Sequence, residues 1–242
     1  IYATDFSAKE KGDLTPVTEA DEAAERIILS GLARLDSGIP VISEEAAAAG
    51  KIPEVSERFF LVDPLDGTKE FISKNGEFTV NIALVEHGIP VAGVVYAPAL
   101  KRIFWGERGR GAAQGNIEND VASGWTSLAV RQLPAEGATV VASRSHRDQA
   151  TEDFLKTVKV KSLCSAGSSL KFCLVAAAEA DLYPRFGRTM EWDTAAGDAI
   201  LRAAGGMTRT LDGAPLRYGK APDYANPDFI ASTRKYSVPE AF

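Results

Sequence analysis

Between Glu19 and Leu35 the chain places apolar or small residues at 20, 23, 24, 27, 28, 31, 32 and 35, the i, i+3, i+4 stripe of an amphipathic helix that packs one face on a sheet. The apolar runs Val41-Ile42-Ser43 and Phe59–Val62 predict two buried strands. Phe78–Glu86 and Pro90–Tyr96 predict a hairpin turning at His87-Gly88. Arg102–Trp105, the hairpin turn Gly106–Gly111 and the Gly-rich turns after it extend an antiparallel region to about residue 133. The rhythm then changes. Val140–Ala142 predicts a strand, Gln149–Thr157 a polar helix and Ser168–Ala180 a second helix. Strand Asp181–Tyr183, helix Thr194–Ala204 and strand Met207–Leu211 complete an alternating α/β pattern. A soft boundary near Leu133-Pro134 therefore divides an N-terminal α+β part, residues 1–133, from a C-terminal α/β part, residues 134–242, with a site between them.

Composition narrows this picture. At 242 residues, 45% hydrophobic and 25% charged, the chain can bury a large core and is not a disordered one. No apolar run reaches 18 residues and no basic-then-apolar leader opens the sequence, so a soluble cytoplasmic protein is expected. The first residue is Ile1 rather than Met, so a native N-terminus upstream is expected too. Cys164 and Cys173 are read as buried free thiols, which fits a reducing compartment. A net charge of −6 and a pI near 5.1 argue against a nucleic-acid footprint. Any phosphate the protein binds must then be met by a metal or by a few local cations.

The chemistry concentrates in Asp63-Pro64-Leu65-Asp66-Gly67-Thr68-Lys69-Glu70-Phe71, where two carboxylates stand three residues apart just after an apolar strand. Pro64 and Gly67 are expected to turn the chain past the strand end, where α/β proteins hold ligands, so that both carboxylates face one cavity. Carboxylates with an exposed carbonyl such as that of Leu65 suit Mg²⁺ better than Zn²⁺. An Asx-turn closing a loop is the plain alternative. Three further acidic segments also have structural readings. Thr18 with Asp21 fits a helix capping box, Asp193 could cap the helix after it, and Glu44-Glu45 could be a solvated loop. Together the four segments put carboxylates at strand ends and helix starts, the positions that converge on one crevice in an α/β layer.

The motifs ISEEA, LVDPLDGTKEF and EWDTAAGDA, with PVTEAD upstream and in this order, resemble the signature set of the inositol monophosphatase superfamily. NGEFTVNIAL, GVVYAPA, GSSLKFCLVA and LYPRFG resemble one branch of it, the CysQ-type 3′(2′),5′-bisphosphate nucleotidases. The similarity runs from about residue 15 to the end. It implies a layered αβαβα sandwich of the sugar-phosphatase fold and a Mg²⁺-dependent phosphatase holding two or three ions. By the same resemblance Glu44, Asp63, the Leu65 carbonyl, Asp66 and Asp193 are metal ligands. Asp21, Thr68 and Glu44 are catalytic, with Asp21 and Thr68 orienting the attacking water. Gly67, Thr68, Ser168, Lys171, Arg185 and Asp193 meet the substrate. The resemblance further implies inhibition by Li⁺, service to sulfate assimilation, a monomer or homodimer, and peripheral inner-membrane association without membrane insertion.

Phosphate-monoester hydrolysis is among the slowest reactions in water, and Mg²⁺ ions that activate water and neutralise the leaving oxygen are an adequate catalyst. A nucleoside bisphosphate such as adenosine 3′,5′-bisphosphate needs cations for its second phosphate and an apolar or stacking wall for its base. Ser143-Arg144-Ser145-His146, Gly167-Ser168-Ser169, Lys171 and Tyr183-Pro184-Arg185-Phe186-Gly187 meet that demand, Arg185 foremost, with His146 read as surface rather than catalyst. Two alternatives remain open: a phosphatase for inositol monophosphate or a sugar bisphosphate, and a regulatory binding protein on the same fold. The two histidines exclude a His-rich zinc site, and no Walker A motif is present.

Overall fold

The periodic stripe at the start of the chain forms a single helix over the predicted span, and most of the other predicted elements appear within a few residues of their expected bounds. The computed structural model describes residues 2, 8–10, 16–36, 38–55, 57–143, 148–234 and 236–237. β1 (Ala8–Glu10) and β2 (Pro16–Thr18) pair as a short antiparallel ribbon ahead of α1 (Glu19–Leu35). β3 (Val41–Ser43) leads into α2 (Glu44–Ala48), and β4 (Arg58–Asp66) into α3 (Thr68–Ile72). β5 (Thr79–Glu86), β6 (Ile89–Ala97), β7 (Arg102–Glu107), β8 (Gly111–Glu118) and β9 (Val121–Leu128) complete a seven-stranded sheet ordered β3-β4-β5-β6-β7-β8-β9. It is antiparallel except where β3 runs parallel to β4.

β10 (Ala138–Ser143), α4 (Gln149–Thr157), β11 (Val160–Ala166), α5 (Leu170–Ala176), β12 (Leu182–Arg185), α6 (Glu191–Ala203), β13 (Gly206–Thr210) and β14 (Phe229–Thr233) follow. Their five strands are ordered β11-β10-β12-β14-β13. Alternation along these strands shows how the layers stack. On β14, Phe229 and Ala231 join the central core with Phe172 of α5, whereas Ile230 points the other way into a cluster with Phe154 of α4. On β10, Val141 likewise faces the central core while Val140 faces Leu155 of α4. α5 and α6 thus lie between the sheets, α4 covers the outer face of the smaller sheet, and α1 packs on β4 of the larger one. The result is the αβαβα sandwich.

Several boundaries depart from expectation for local reasons. β4 does not stop at Val62 but continues through Asp66, so the carboxylate pair lies within a strand rather than in a turn beyond it. The helix expected over Ser168–Ala180 is confined to Leu170–Ala176, between the left-handed residues Ser168 (φ 47°) and Ala178 (φ 59°). α6 begins at Glu191, three residues before the expected Thr194, and β12 is shifted to Leu182–Arg185. β11 and β14 were not expected. β11 is an exposed polar edge strand without apolar alternation, and β14 lies beyond the last periodic segment. Cys164 and Cys173 are free, the first half-buried and the second buried. The side chain of Thr18, and with it the proposed capping box, lies outside the described residues. Among the described residues no helix is long and apolar enough to cross a membrane.

α6 comes unusually close to the large sheet. Gly93 on β6 and Gly106 on β7 are register partners, and a Cβ on either would stand 2.9 Å from Ala196 Cα or 2.6 Å from Ile200 Cα. The pair is a trough in which the helix backbone rests, and the height of α6 above the sheet is fixed by the missing side chains. Gly93→Ala is therefore expected to destabilise the protein by about 1–3 kcal/mol through overpacking. Gly31→Ala in α1, where the nearest atom is Arg34 Nη2 at 3.9 Å, is expected to be neutral or to stabilise by up to about 1 kcal/mol. Urea unfolding of both variants beside the parent checks the opposite signs.

Candidate active site

In an unbroken strand, residues three apart point to opposite faces, so Asp63 and Asp66 could not share a cavity. β4 solves this with a bulge. Asp63 pairs with Asn81 and Asp66 with Thr79, so three steps on β4 oppose two on β5, and the extra residue returns Asp66 to the face of Asp63. Asp63 is 1% exposed, and its Oδ1 accepts the Leu65 amide at 3.0 Å across the bulge. The Asx-type bond foreseen as the plain alternative is thus present, as part of the device that aims the carboxylate. Asp66 Oδ2 accepts from Ser169 N at 2.7 Å, from Asn81 Nδ2 at 3.2 Å and from Thr79 Oγ1 at 3.5 Å.

Two helix starts supply the remaining acids. Glu44 opens α2 directly after β3, and Asp193 stands in the first turn of α6. Asp193 is not the residue before the helix, as expected, but its third residue. Its Oδ2 accepts the Met190 amide at 2.8 Å in a reciprocal cap. Both placements put a carboxylate where exposed amides favour negative charge. Asp21, buried in the first turn of α1, accepts from Thr68 Oγ1 at 3.5 Å. Thr68 opens α3 after Gly67, whose φ of 94° suits glycine, and its hydroxyl also lies 3.5 Å from the Leu65 carbonyl.

Glu44, Asp63, Leu65, Asp66, Gly67, Thr68, Ser168, Lys171, Arg185 and Asp193 all line one cavity of about 630 Å³. Asp21 stands behind it, reached through Thr68. Phe172, Tyr183 and Phe186 supply apolar wall, and Ser143 also lines it. Arg144, Ser145 and His146 lie outside the described residues. A second cavity of about 500 Å³ adjoins the first and shares Glu44, Asp193, Arg188 and Thr189 with it. Lys171, which also lines the cavity, is buried, its Nζ 2.5 Å from the Ser168 carbonyl and 5.3 Å from the Tyr183 ring centre. Burial lowers its pKa to about 8, against the opposing pull of Asp66. Arg185 Nη2 donates to the Arg188 carbonyl at 3.1 Å. Arg185 Nε and Ser168 Oγ are buried without a hydrogen-bond partner among the described residues, which leaves two polar groups for a ligand in this cavity.

Sequence reasoning did not single out Asn81, and it placed Ser169 only among the segments facing the substrate, not as a support of the acids. Ser169 joins the two sheets, because its amide holds Asp66 while its hydroxyl donates to the Asp193 carbonyl. Asn81 was legible as a lone amide side chain within an apolar alternating strand; it is fully buried and holds Asp66 from β5.

Among the described residues no three His, Cys, Asp or Glu side chains close around a single point. The carboxylates line the cavity without closing on one point, and the chemistry of the set still fits a hard divalent cation: every donor is oxygen. Burial, then the neighbouring charges of Glu44, Asp66 and Asp193, raise the Asp63 pKa well above 3.8. Asp193 is raised likewise, by burial and then by Asp66 and Glu44. Asp66 is raised mainly by burial, with Lys171 opposing. Carboxylates that raise one another in this way are relieved by a cation among them, and Mg²⁺ matches the ligand type.

The sign of this coupling is measurable. A carboxyl whose folded pKa is raised contributes stability that is fully present below its unfolded value, near 3.8, and lost as pH rises through the folded value. Protein held in EDTA is expected to lose thermal stability progressively as pH rises above about 4, and Asp63→Asn to flatten that loss. Mg²⁺, which binds the ionised forms, is expected to restore most of it at the upper end. A series of Tm values against pH, with and without Mg²⁺, checks the slope.

The profile of the inositol monophosphatase family matches residues 2–240. The chain is 46% identical over 222 residues to the 3′(2′),5′-bisphosphate nucleotidase CysQ of Escherichia coli strain K12, covering 92% of this chain and 87% of that protein. The crystal structure of CysQ from Bacteroides thetaiotaomicron, a bacterial member of the inositol monophosphatase family, superposes with a TM-score of 0.76 at 38% identity, over 89% of this chain and 84% of that one. An inositol monophosphatase from Thermotoga maritima superposes with a TM-score of 0.75 at 27% identity, over 95% and 83%. With sequence, fold and acidic wall in agreement, this chain belongs to the inositol monophosphatase family.

Proposed function

We propose that this protein is a Mg²⁺-dependent phosphomonoesterase that removes the 3′-phosphate of adenosine 3′,5′-bisphosphate, releasing AMP and inorganic phosphate. The observation that carries this reading is one cavity lined by the carboxylates Glu44, Asp63, Asp66 and Asp193 together with Ser168, Lys171, Arg185 and the aromatic Phe172, Tyr183 and Phe186. Glu44, Asp63, Asp66, Asp193 and the Leu65 carbonyl would hold two or three Mg²⁺ ions. When bound, the metal supplies an acidified water and charge neutralisation at the phosphoryl and leaving oxygens.

The chain's own residues orient the parts. With the Thr68 hydroxyl hydrogen directed at Asp21, the lone pairs of Oγ1 are left to accept a hydrogen bond from the attacking water, which sets the direction of its approach. Asp21 and Thr68 thus work as a couple, Asp21 acting through Thr68. The bond between phosphorus and the ribose 3′-oxygen breaks as water adds, and that oxygen leaves as the hydroxyl. Gly67 lets the backbone after the bulge approach the phosphoryl group closely. In the same cavity, Arg185 with its partnerless Nε takes the 5′-phosphate, Lys171 adds positive charge beneath it, and Phe172, Tyr183 and Phe186 give the base an apolar wall.

Asp66→Asn is expected to lower kcat/KM by well over about 100-fold while the far-ultraviolet spectrum stays native, because outer groups around a metal already cost 10–100-fold when lost. Phosphate release on one preparation from adenosine 3′,5′-bisphosphate, inositol 1-phosphate and fructose 1,6-bisphosphate tests the substrate. The nucleotide is expected to give the highest kcat/KM, and a preference for inositol or sugar phosphate would retain the metal chemistry and overturn the substrate. Arg185→Met is expected to raise KM for the bisphosphate by about 10–100-fold, the loss of one hydrogen bond to a charged group, and to leave inositol 1-phosphate hydrolysis much less affected.

A further inference from the structure

Asp193 is the acid that arrives from the second half of the fold, and what grips it is a loop amide rather than a side chain. Its Oδ2 accepts from Met190 N at 2.8 Å. The position of that amide depends on how residues 189–191 are tied to the segment 218–226. The strand-like contact Met190–Ala225 is isolated, bracketed by Glu191 N to the Tyr224 carbonyl and Asn226 N to the Thr189 carbonyl, each at 2.8 Å. The side chain of Asn226 then reaches back across the loop. Its Nδ2 donates to the Met190 carbonyl at 2.8 Å and to Thr194 Oγ1 at 3.0 Å, and lies 3.3 Å from Thr189 Oγ1.

The other end of that amide is also occupied. Lys220 Nζ donates to Asn226 Oδ1 at 3.2 Å and pairs with Glu191 Oε1 at 2.7 Å. Glu191 is fully buried and accepts the amides of Gly219 and Lys220 at 2.6 and 2.8 Å. An ammonium can only donate and the Met190 carbonyl can only accept, so the two neighbours together force one orientation on the Asn226 amide. The chain of bonds runs Glu191–Lys220–Asn226–Met190–Asp193 without a gap.

We propose that Asn226, oriented by Lys220, is a positioning residue for the Asp193 carboxylate: it fixes the loop whose amide aims Asp193 and thereby sets the Mg²⁺ affinity of the acidic wall. The inference rests on the metal reading above, and its test separates the two. Mg²⁺ is titrated by calorimetry into substrate-free protein for the parent and for Lys220→Met, Asn226→Ala and Lys220→Arg. Arg131→Met serves as a control that breaks the remote pair with Asp181, and Tm in EDTA is recorded for all five. Lys220 is partly exposed but faces the buried Glu191, so its Met variant is expected to be less stable, which Tm in EDTA registers, and Asn226→Ala tests the same loop with the Lys220–Glu191 pair kept.

Lys220→Met and Asn226→Ala are expected to weaken Mg²⁺ binding about 10-fold or more, the usual consequence of losing an outer support of a metal ligand. Lys220→Arg should recover most of that loss. In turnover assays kcat at saturating Mg²⁺ is expected to recover while the half-saturating Mg²⁺ concentration rises and KM for the nucleotide stays put. Arg131→Met is expected to lower Tm with no change in Mg²⁺ affinity. Parental affinity in both Lys220→Met and Asn226→Ala, or an equal loss in Arg131→Met, overturns the proposal. A parent that binds no Mg²⁺ overturns the metal reading itself and the proposal with it.

Discussion

Buried carboxylates that repel one another are the constraint on which the rest of the fold depends. Glu44, Asp63, Asp66 and Asp193 line one cavity, and at Asp63, Asp66 and Asp193 burial adds to the repulsion of the neighbouring charges. Elsewhere the protein sets a cation against several of its buried acids. Arg131 meets Asp181 at 2.7 Å, Arg202 meets Asp198 at 2.9 Å and Lys220 meets Glu191 at 2.7 Å. Removing the cation from such a pair would leave an uncompensated buried charge and cost several kcal/mol. In the cavity Asp63, Asp66 and Asp193 are held by neutral donors instead, the amides of Leu65, Ser169 and Met190, the side chain of Asn81 and the Thr79 hydroxyl, with the Lys171 charge acting on Asp66 as well. A neutral donor fixes one oxygen and leaves the charge uncancelled, which keeps the group available to a metal ion.

Two unlike devices make these acids converge. On the large sheet a bulge of one residue turns Asp66 onto the face of Asp63, and between the sheets the Gly93–Gly106 trough sets the height of α6, whose first turn carries Asp193. Neither device would suffice alone, since the first belongs to one sheet and the second to a helix lodged against it. Ser169 closes the gap by bonding Asp66 through its amide and the Asp193 backbone through its hydroxyl. A residue bonded to Asp66 and to the Asp193 backbone in this way makes the separation of the two acids a property of three packed elements.

The parts of this arrangement that were legible in the sequence are those with a local signature. The stripe of α1, the hairpin at His87-Gly88 and the polar helix Gln149–Thr157 all announce themselves through periodicity or turn residues. The acidic motifs were legible because carboxylates beside Pro and Gly after an apolar run are unusual in combination. What escaped was set by contacts distant in the chain. The bulge is invisible in β4 because it is defined by register with Asn81 and Thr79, so its effect was read as a turn beyond the strand. The start of α6 was misplaced because Glu191 looks like a surface acid until the amides of Gly219 and Lys220 and the Lys220 ammonium bury it. β11 escaped because an exposed edge strand has no apolar face to display.

The two walls of the cavity differ in what a change in them would do. The acids stand on a strand bulge and on helix starts, and Asp63, Asp66 and Asp193 are each clamped by a backbone amide that no side-chain substitution removes directly. The other wall is made largely from residues 166–189, which include left-handed Ser168, the short helix α5 and the connection after β12. There the proposed recognition would rest on side chains that line the cavity, such as Arg185, Lys171 and Phe186. A fold organised in this way can keep one metal chemistry while its substrate changes. For that reason the acidic wall identifies the reaction, and only the cationic, aromatic wall can identify the molecule whose phosphate is removed.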